Sequence, residues 1–324
     1  MKVSILVPVY NVQDYLPGSL DSILKNDLED CEIVLVDDGA TDRSGEICDE
    51  YASRYPGLIR VVHQPNGGIG EARNSCLREA RGEWLLFVDS DDKVRPDMLK
   101  ILRNTIEDTD AEIIGFQFYA DNGSDPPVVQ SCGIAASAEP FRLAERKEYL
   151  LTLPSLWLRC WKRSLFTQSG LTFPPLVWYE DFRMVSKILP LAEKIRIIDE
   201  PLYYYLRRPG SIMNNEKLKR NREILEAMDD ILSWYEKLGL LETYHDELEA
   251  LTIQHVLLAA STRVARYDPK HPLLLEFYDY TQTHFPDWRK NPYTKQLPGT
   301  KRLALALIRH RAYGTLRLLF KLKG

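Results

Sequence analysis

Two aspartates one residue apart follow an apolar run that is typical of a buried strand. The run is Trp84-Leu85-Leu86-Phe87-Val88, and Asp89-Ser90-Asp91-Asp92 comes directly after it. Two carboxylates beyond the end of a strand can face one small hard cation, because Mg²⁺ or Mn²⁺ takes one or two such ligands and completes its shell with substrate phosphate and water. The alternative is that Asp91 or Asp92 only caps the helix that begins near Pro96. This pair of aspartates alone does not decide between the two interpretations.

The segments that must position these residues alternate between strand and helix patterns. Buried strands are predicted at residues 3–9, 32–36, 58–62 and 84–88, and helices at 16–24, 42–55 and 71–80. Such alternation predicts a parallel sheet covered by helices on both faces, so the fold class is α/β. Ligands of these sheets bind beyond the carboxyl ends of the strands, which is where this chain has its acidic clusters.

The later part of the chain is less regular and then becomes helical. Residues 113–119 and 202–206 predict further strands, and residues 120–140 are rich in Asp, Gly, Pro and Ser, which predicts an irregular segment. From residue 215 onward the apolar spacing is helical. We therefore predict a first domain at residues 1–214 and a helical C-terminal region at residues 215–324.

Four motifs in order resemble the family 2 nucleotide-sugar glycosyltransferases of bacterial surface-polysaccharide type. They are Val7-Pro8-Val9-Tyr10-Asn11, Val36-Asp37-Asp38-Gly39, Asn66-x-Gly68 through Ala72-Arg73-Asn74, and Ala80-x-Gly82-Glu83 leading into Phe87 to Asp92. The resemblance covers residues 3–100 and extends more weakly to about residue 213. It implies a GT-A fold, which is Rossmann-like, with a mostly parallel sheet between helices.

The resemblance also implies where the nucleoside of the donor binds. Pro8 and Tyr10 would line the nucleoside slot, with Tyr10 stacked on the base. Asp38 would accept a hydrogen bond from the base, for which a uracil imide N–H is favoured, and Asn66 would lie near the base. The alternative is that Asp37 and Asp38 serve only the turn that follows the strand. We predict a binding role for Asp38 and a structural role for Asp37.

The diphosphate and the metal would lie around the acidic motif. The resemblance implies that Asp89 contacts the ribose and helps to orient the metal, that Ser90 belongs to the donor site, and that Asp91 ligates the metal. Arg73 would either reach the diphosphate or hold Asp89, and the alternative is an arginine on a helix surface. The predicted cofactor is a divalent metal, Mn²⁺ or Mg²⁺.

Acceptor activation needs a carboxylate base, which this family carries in a Glu-Asp pair downstream of the acidic motif. Glu180-Asp181 matches that pair, so we predict Asp181 as the general base and Glu180 as a group that holds the acceptor or supports the geometry. The alternative is a helix that begins with two acidic residues, which the helix dipole favours. A single in-line displacement would invert the anomeric centre.

A second predicted contact to the diphosphate lies at residues 203–212. Arg207 or Arg208 would clamp a phosphate, and Ser211 would add a hydroxyl donor. Many family members have a histidine in this stretch, whereas this chain has none. A surface ion pair for the two arginines therefore stays open.

The charge of the chain is unevenly distributed. The net charge is −5, but residues 295–324 contain eight Lys or Arg and no Asp or Glu, so residues 1–294 carry −13. Leucines alternate with these cations, which favours docking of residues 301–323 on an anionic membrane, or alternatively packing on the acidic body of the protein. Few aromatic residues accompany the cations, so a nucleic-acid partner is not predicted.

The cysteines and the N-terminal residues indicate the cellular compartment of the protein. The five cysteines are widely spaced and include no C-x-x-C pair, which argues against a zinc site or a disulfide framework and favours a reducing compartment. The N-terminal apolar run ends at Pro8 and is too short for a signal peptide. We predict a cytoplasmic protein, with peripheral attachment to the inner face of the cytoplasmic membrane and a homodimer left open.

These observations predict an inverting, metal-dependent glycosyltransferase. It would move a sugar from a nucleotide-sugar, with a UDP-sugar favoured, to a glycan or lipid-linked glycan acceptor in surface polysaccharide biosynthesis. The main alternative is a non-catalytic scaffold that binds a nucleotide or a sugar. A nucleotidyltransferase is less favoured because no Gly-rich basic loop follows the first strand, and a dehydrogenase is disfavoured because G-x-G-x-x-G is absent there.

Overall fold

The computed structural model describes residues 2–121, 128–131, 133, 135–137, 139–206 and 218–321. The chain divides into two compact units, residues 1–209 and 210–324. In its described residues the first unit contains one nine-stranded sheet with helices packed against it, and the second unit is helical.

The strands and helices have the following bounds. The strands are β1 (Val3–Val9), β2 (Cys31–Asp37), β3 (Ile59–His63), β4 (Trp84–Phe87), β5 (Lys93–Val94), β6 (Ile113–Asp121), β7 (Val128–Gln130), β8 (Arg159–Lys162) and β9 (Ile195–Leu206). The helices of the first unit are α1 (Leu16–Leu24), α2 (Ser44–Arg54), α3 (Gly68–Glu79), α4 (Met98–Glu107), α5 (Ser164–Ser169) and α6 (Glu180–Ile188). Those of the second unit are α7 (Glu223–Lys237), α8 (His245–Thr252), α9 (Ser261–Tyr267), α10 (Leu273–His284), α11 (Gly299–Arg309) and α12 (Tyr313–Lys321).

The sheet is mixed, with its parallel strands at one side. Its order is β3-β2-β1-β4-β8-β6-β9-β5, and β7 pairs with β6. The first four strands in this order are parallel to one another, and β6 and β9 form a second parallel pair. Every residue of β1 and β2 is buried, which explains why residues 5–9 and 33–36 are continuous apolar runs rather than alternating ones. The α/β prediction is confirmed.

Strand β8 joins the two parallel groups and was absent from the sequence prediction. It runs antiparallel to both β4 and β6. Its sequence, Arg-Cys-Trp-Lys, is short and half cationic, so it has no apolar pattern to recognise. Arg159 can be 1% exposed in this strand because its guanidinium donates to Tyr149, Thr152 and the carbonyls of Leu153 and Ser155. The segment predicted to be irregular likewise contains β7.

The parallel strands bring the ends of several motifs to one edge of the sheet. In register, Val9 of β1 pairs with Asp37 of β2, which pairs with His63 of β3, while Leu6 pairs with Phe87 of β4. The residues that follow these four strands therefore lie together at the carboxyl edge, as expected for a ligand site in a sheet of this kind.

In the second unit, α8 and α9 are joined by a π-helical segment at Ile253–Ala260, so that residues 245–267 form one continuous helical run. Short 3₁₀ turns at Trp288–Lys290 and Pro292–Gln296 connect α10 to α11. None of the helices within the described ranges has the length and apolar character needed to span a bilayer.

Candidate active site

The acidic turn after β4 is held by a tyrosine of β9. Asp92 is 1% exposed and accepts hydrogen bonds from the Tyr203 hydroxyl at 2.8 Å and from the backbone N–H of Leu206 at 2.7 Å. The Tyr203 hydroxyl also accepts a hydrogen bond from the backbone N–H of Asp89 at 3.1 Å. Both ends of the turn are thus tied to one phenol, which orients Asp89 and the part-exposed Asp91 beyond the strand end.

Negative charge is concentrated in this turn. Burial raises the pKa of Asp89, and the charge of Asp91 adds to the increase, although Arg73 opposes it. Burial likewise raises the pKa of Asp92 well above its usual range, with Asp89 and Asp91 contributing. Ser90, between them, is also buried. Carboxylates that repel one another in this way are stabilised in their ionised form by a cation.

Arg73 of α3 connects the acidic turn to α6. Its Nη2 lies 3.3 Å from Asp89 Oδ1, and its Nη1 lies 2.7 Å from Glu180 Oε1. The arginine side chain is only 6% exposed. Burial alone would lower the pKa of Arg73, but the carboxylates of Asp89, Glu180 and Asp181 raise it, so the guanidinium stays charged. A single buried cation therefore links two acidic segments that are 91 residues apart in the chain.

Asp181 lies in the first turn of α6, beside Glu180. Burial and the neighbouring Glu180 carboxylate raise the pKa of Asp181 to about 7, while Arg73 acts in the opposite direction. One carboxylate oxygen accepts the backbone N–H of Phe182 at 2.7 Å. A carboxyl group that titrates near neutral pH, with part of its side chain exposed, can accept a proton from a bound hydroxyl group.

Helix α3 also fixes the loop that leads into α6. The Asn74 side chain makes two hydrogen bonds of 2.8 Å to the backbone of Phe173, donating to its carbonyl and accepting from its N–H. A Cβ added at Gly70 would collide with the carbonyl oxygen of Pro174, so this close contact requires glycine. Tyr179, just before α6, has a left-handed φ of 67°. The position of Glu180 and Asp181 is therefore set by contacts with α3.

The predicted nucleoside end of the site lies after β1 and β2. Pro8 is buried in β1, whereas Tyr10 is 47% exposed at its end, as a stacking platform must be. Asn11 has a left-handed φ of 50°, and its side chain accepts the backbone N–H of Thr41 at 2.8 Å. This contact joins the loops that follow β1 and β2. Asn66 is exposed in the loop before α3.

Asp38 holds the loop between β3 and α3. It is 2% exposed and accepts hydrogen bonds from the backbone N–H groups of Gly67 and Gly68, at 2.9 and 2.8 Å, and from Gln64 Nε2 at 2.6 Å. A carboxylate has about four lone-pair positions, so little capacity remains for a base. Its contact with the base stays a prediction. Asp37 accepts the backbone N–H of Ala40 at 2.9 Å, a turn contact.

The predicted residues fall into three groups. Arg73, Asp89, Glu180 and Asp181 form one charged cluster, with Ser90 and Asp91 in the same turn. The predicted nucleoside residues lie at the ends of β1 to β3. The remaining three, Arg207, Arg208 and Ser211, lie outside the described residues.

Tyr203, Asp92 and Asn74 are positioning residues that the sequence analysis did not assign. Each lies inside or beside one of the motifs described above, but only the fold reveals their partners.

Comparison with known proteins identifies the family. Residues 4–171 match the model of glycosyl transferase family 2, which is more than half of the chain. This chain belongs to glycosyltransferase family 2. It is 30% identical over 333 residues to the uncharacterized glycosyltransferase EpsJ of Bacillus subtilis, covering 99% of this chain and 96% of EpsJ. The family prediction and its transferase class are confirmed.

Solved structures confirm the fold. The structure of Staphylococcus aureus TarS 1–349 in complex with UDP-GlcNAc matches with a TM-score of 0.66 at 22% identity, covering 98% of this chain and 90% of that chain. The mannosyltransferase PcManGT of Pyrobaculum calidifontis, in complex with GDP-Man and Mn²⁺, matches with a TM-score of 0.55 at 18% identity, covering 98% and 87%. The GT-A-like sheet followed by a helical C-terminal region is thus a known architecture.

Proposed function

We propose that this family 2 glycosyltransferase transfers a sugar from a UDP-sugar to a glycan acceptor with inversion, using a divalent metal. The observation that supports this most strongly is the Arg73 bridge between Asp89 and Glu180. It joins the acidic turn, where a donor diphosphate would bind, to the beginning of α6, where an acceptor would lose its proton. A transferase requires both segments at one site, because donor and acceptor must meet there.

The proposal of a UDP-sugar rests on the TarS complex and on the site itself. TarS was solved with UDP-GlcNAc, and this chain shares its fold. The exposed Tyr10 would stack on the base beside Pro8, and Asn66 lies on the neighbouring loop. Asp38 would use its remaining acceptor capacity on the base, while it fixes the loop beneath.

The side chains of the acidic turn fit a divalent metal. Asp91 and Asp89 offer the carboxylate oxygens that Mg²⁺ and Mn²⁺ prefer. Within the described part of the chain no group of three His, Cys, Asp or Glu residues is arranged as a complete metal site, so the donor diphosphate and water would supply the other ligands. A bound metal would neutralise charge on the departing diphosphate. The PcManGT complex contains Mn²⁺, which agrees with this cofactor class.

Asp181 would act as the base. The acceptor hydroxyl would approach the anomeric carbon from the side opposite the UDP leaving group, and Asp181 would take its proton as the new C–O bond forms and the bond to UDP breaks. Glu180 is engaged with Arg73, so we propose a supporting role for it rather than proton transfer. Arg207, Arg208 and Ser211 remain proposed diphosphate contacts.

The acceptor is proposed to be a surface glycan or a glycan on a lipid carrier, reached from the cytoplasmic side of the membrane. Helices α11 and α12 expose Leu303 and Leu318, at 49% and 61%, among cations. Such surfaces favour peripheral binding to anionic lipid. A homodimer is compatible with the same exposed face.

The proposal is tested by thermal unfolding with UDP, GDP, CMP and dTDP, each with and without Mn²⁺. Binding at about 100 times Kd would add about 2.7 kcal/mol, a shift of several degrees in Tm. We expect a shift with UDP that requires Mn²⁺ and disappears in Asp91→Asn. Asp108→Asn is the matched control, because it removes an exposed carboxylate at the end of α4. A shift that survives Asp91→Asn would contradict the metal site, and no shift with any nucleotide would contradict the donor site.

A further inference from the structure

A basic cleft lies in the second unit, between α11 and the two 3₁₀ turns that precede it. Its volume is about 280 Å³. Four of its lining residues are Arg289, Lys295, Arg302 and Arg309, and His310 adds an imidazole. No Asp or Glu lines the cleft in the described part of the chain. Concave sites lined by one sign of charge concentrate ions of the opposite sign.

Two cations of α11 lie on the face of the helix that lines the cleft. Arg302, Leu305, Ala306 and Arg309 all line the cleft, and intervals of three, four and seven residues place them on one face. Lys301, the next cation along the helix, is not part of the lining. The cleft is therefore lined by particular cations of this basic segment, and it does not simply reflect the high average charge of the segment.

The opposite wall is rigid. Trp288 is 1% exposed and donates to Gln282, while the Arg289 guanidinium lies 4.9 Å from the Trp288 ring and donates to the Tyr278 hydroxyl at 2.7 Å. The buried Asn291 donates to the carbonyl of Asp246 and accepts the backbone N–H of Tyr293. Because Arg289 already makes these contacts, its side chain would lose little entropy when it meets a ligand.

Among the described residues, the cations of the cleft have no acidic partner. Arg302, Arg309 and Lys295 form no ion pair with any acidic side chain of the described residues, and the partner of Arg289 is a neutral phenol. Some exposed cations elsewhere in this unit are paired with carboxylates, as Lys290 is with Asp287 and Arg222 with Glu276. Several unneutralised cations around one concave space are suited to a multiply charged anion with several acceptor oxygens.

We propose that this cleft binds a phosphate group carried by a small ester. Arginine pairs with phosphate through two parallel hydrogen bonds, and the three arginines and one lysine of the cleft more than offset the charge of about −2 on a phosphate monoester. The volume lies just below the usual range for drug-sized ligands, about 300–1,000 Å³, and therefore fits a phosphate ester better than a whole nucleotide-sugar. The inference depends on residues 210–324 alone and holds whether or not the first unit transfers a sugar.

The test measures binding of two probes to the full chain at low salt. One probe is sn-glycerol 3-phosphate, followed by titration calorimetry, and the other is vesicles of phosphatidylglycerol against vesicles of phosphatidylcholine. The cleft variant is Arg302→Gln/Arg309→Gln. The control is Lys301→Gln/Lys270→Gln, which removes two charges from the same unit but from outside the lining. All four side chains are exposed, so both variants should fold, which denaturation would verify.

We expect wild type and control to bind glycerol 3-phosphate within about twofold of each other, and the cleft variant to bind at least about tenfold more weakly, since two charge-assisted pairs are lost. If the cleft variant alone loses binding to phosphatidylglycerol vesicles, and no protein binds glycerol 3-phosphate, the site is supported and the phosphate belongs to a lipid headgroup. An equal loss of binding in both double variants would overturn the proposal and indicate that bulk charge binds the probes. Absence of binding to either probe would also overturn it. UDP binding measured in parallel should be unchanged, which separates failure of this site from failure of the donor site.

Discussion

Replacing Arg73 with methionine tests whether one buried cation holds the active site together. The substitution preserves most of the volume but leaves Asp89 and Glu180 without their positive partner, at side-chain exposures of 27% and 13%. Breaking a buried ion pair by removing one partner costs about 3–5 kcal/mol. At roughly 2–4 °C per kcal/mol for a unit of this size, we expect the Tm of the first unit to fall by about 10 °C.

The control is Arg78→Met on the same helix. Arg78 also pairs with a carboxylate, Glu71, but its side chain is 59% exposed, so the loss should be at most about 1 kcal/mol. The assay is thermal and urea unfolding of wild type and both variants at pH 7.5 in EDTA, because a divalent cation could replace the missing charge.

The pH dependence of the Arg73→Met penalty gives a second readout. Without Arg73 the pKa of Asp89 in the folded state rises further above its unfolded value. An acid with a raised folded pKa destabilises the protein above that pKa, and the penalty disappears as pH falls toward the unfolded value, near 4. The gap between variant and wild type should therefore close between pH 7 and pH 4. A loss no larger than that of Arg78→Met, or one that is independent of pH, would refute the reasoning.

Three further outcomes follow from the same contacts. Because burial and Glu180 raise the pKa of Asp181 to about 7, the transfer rate should increase with pH through an apparent pKa near 7, and a rate that is flat from pH 5.5 to 8.5 would contradict its role as base. For the same reason Asp181→Asn should stabilise the fold at pH 8 by about 2 kcal/mol. This is about half of the free energy that the full pKa shift would give, because the side chain is part exposed. In urea unfolding the added stability should disappear near pH 4. Tyr203→Phe removes the hydroxyl that connects Asp92 to the backbone of Asp89, and it should weaken Mn²⁺-dependent UDP binding several-fold in the thermal-shift assay. Unchanged binding would show that the acidic turn does not need this hydroxyl for its position.

Much of this architecture could be predicted because the strands that form it are strongly patterned. β1 and β2 are buried on both faces, and their apolar runs at residues 5–9 and 33–36 predict buried strands. Parallel strands place the residues that follow them at one edge of the sheet. Arg73, Asp89 and Asp181 were predicted as functional residues from motif order. Strand β8 was not predicted because it has only four residues, and its buried, hydrogen-bonded arginine interrupts any apolar pattern.

The roles of individual acidic residues were harder to predict, because a carboxylate serves a ligand or the backbone equally well. Asp38 illustrates this: its sequence context favours a base contact, yet three hydrogen bonds to the loop at residues 64–68 occupy most of its capacity. Asp92 is bound by Tyr203, 111 residues away, and no spacing rule connects them. The neutral-range pKa of Asp181 depends on burial and on Glu180, which sequence cannot quantify.

The measurement that tests the central claim most directly is turnover of UDP-sugars by wild type and Asp181→Asn. Each protein is incubated with Mn²⁺ and a panel of UDP-sugars and GDP-sugars, and release of the nucleoside diphosphate is followed with and without added glycan acceptors. We expect wild type to release UDP from one donor, and Asp181→Asn to bind UDP as tightly as wild type while losing about 10²–10⁴ in rate. Equal rates in the two proteins would contradict Asp181 as the base, and release from GDP-sugars alone would contradict the proposed donor.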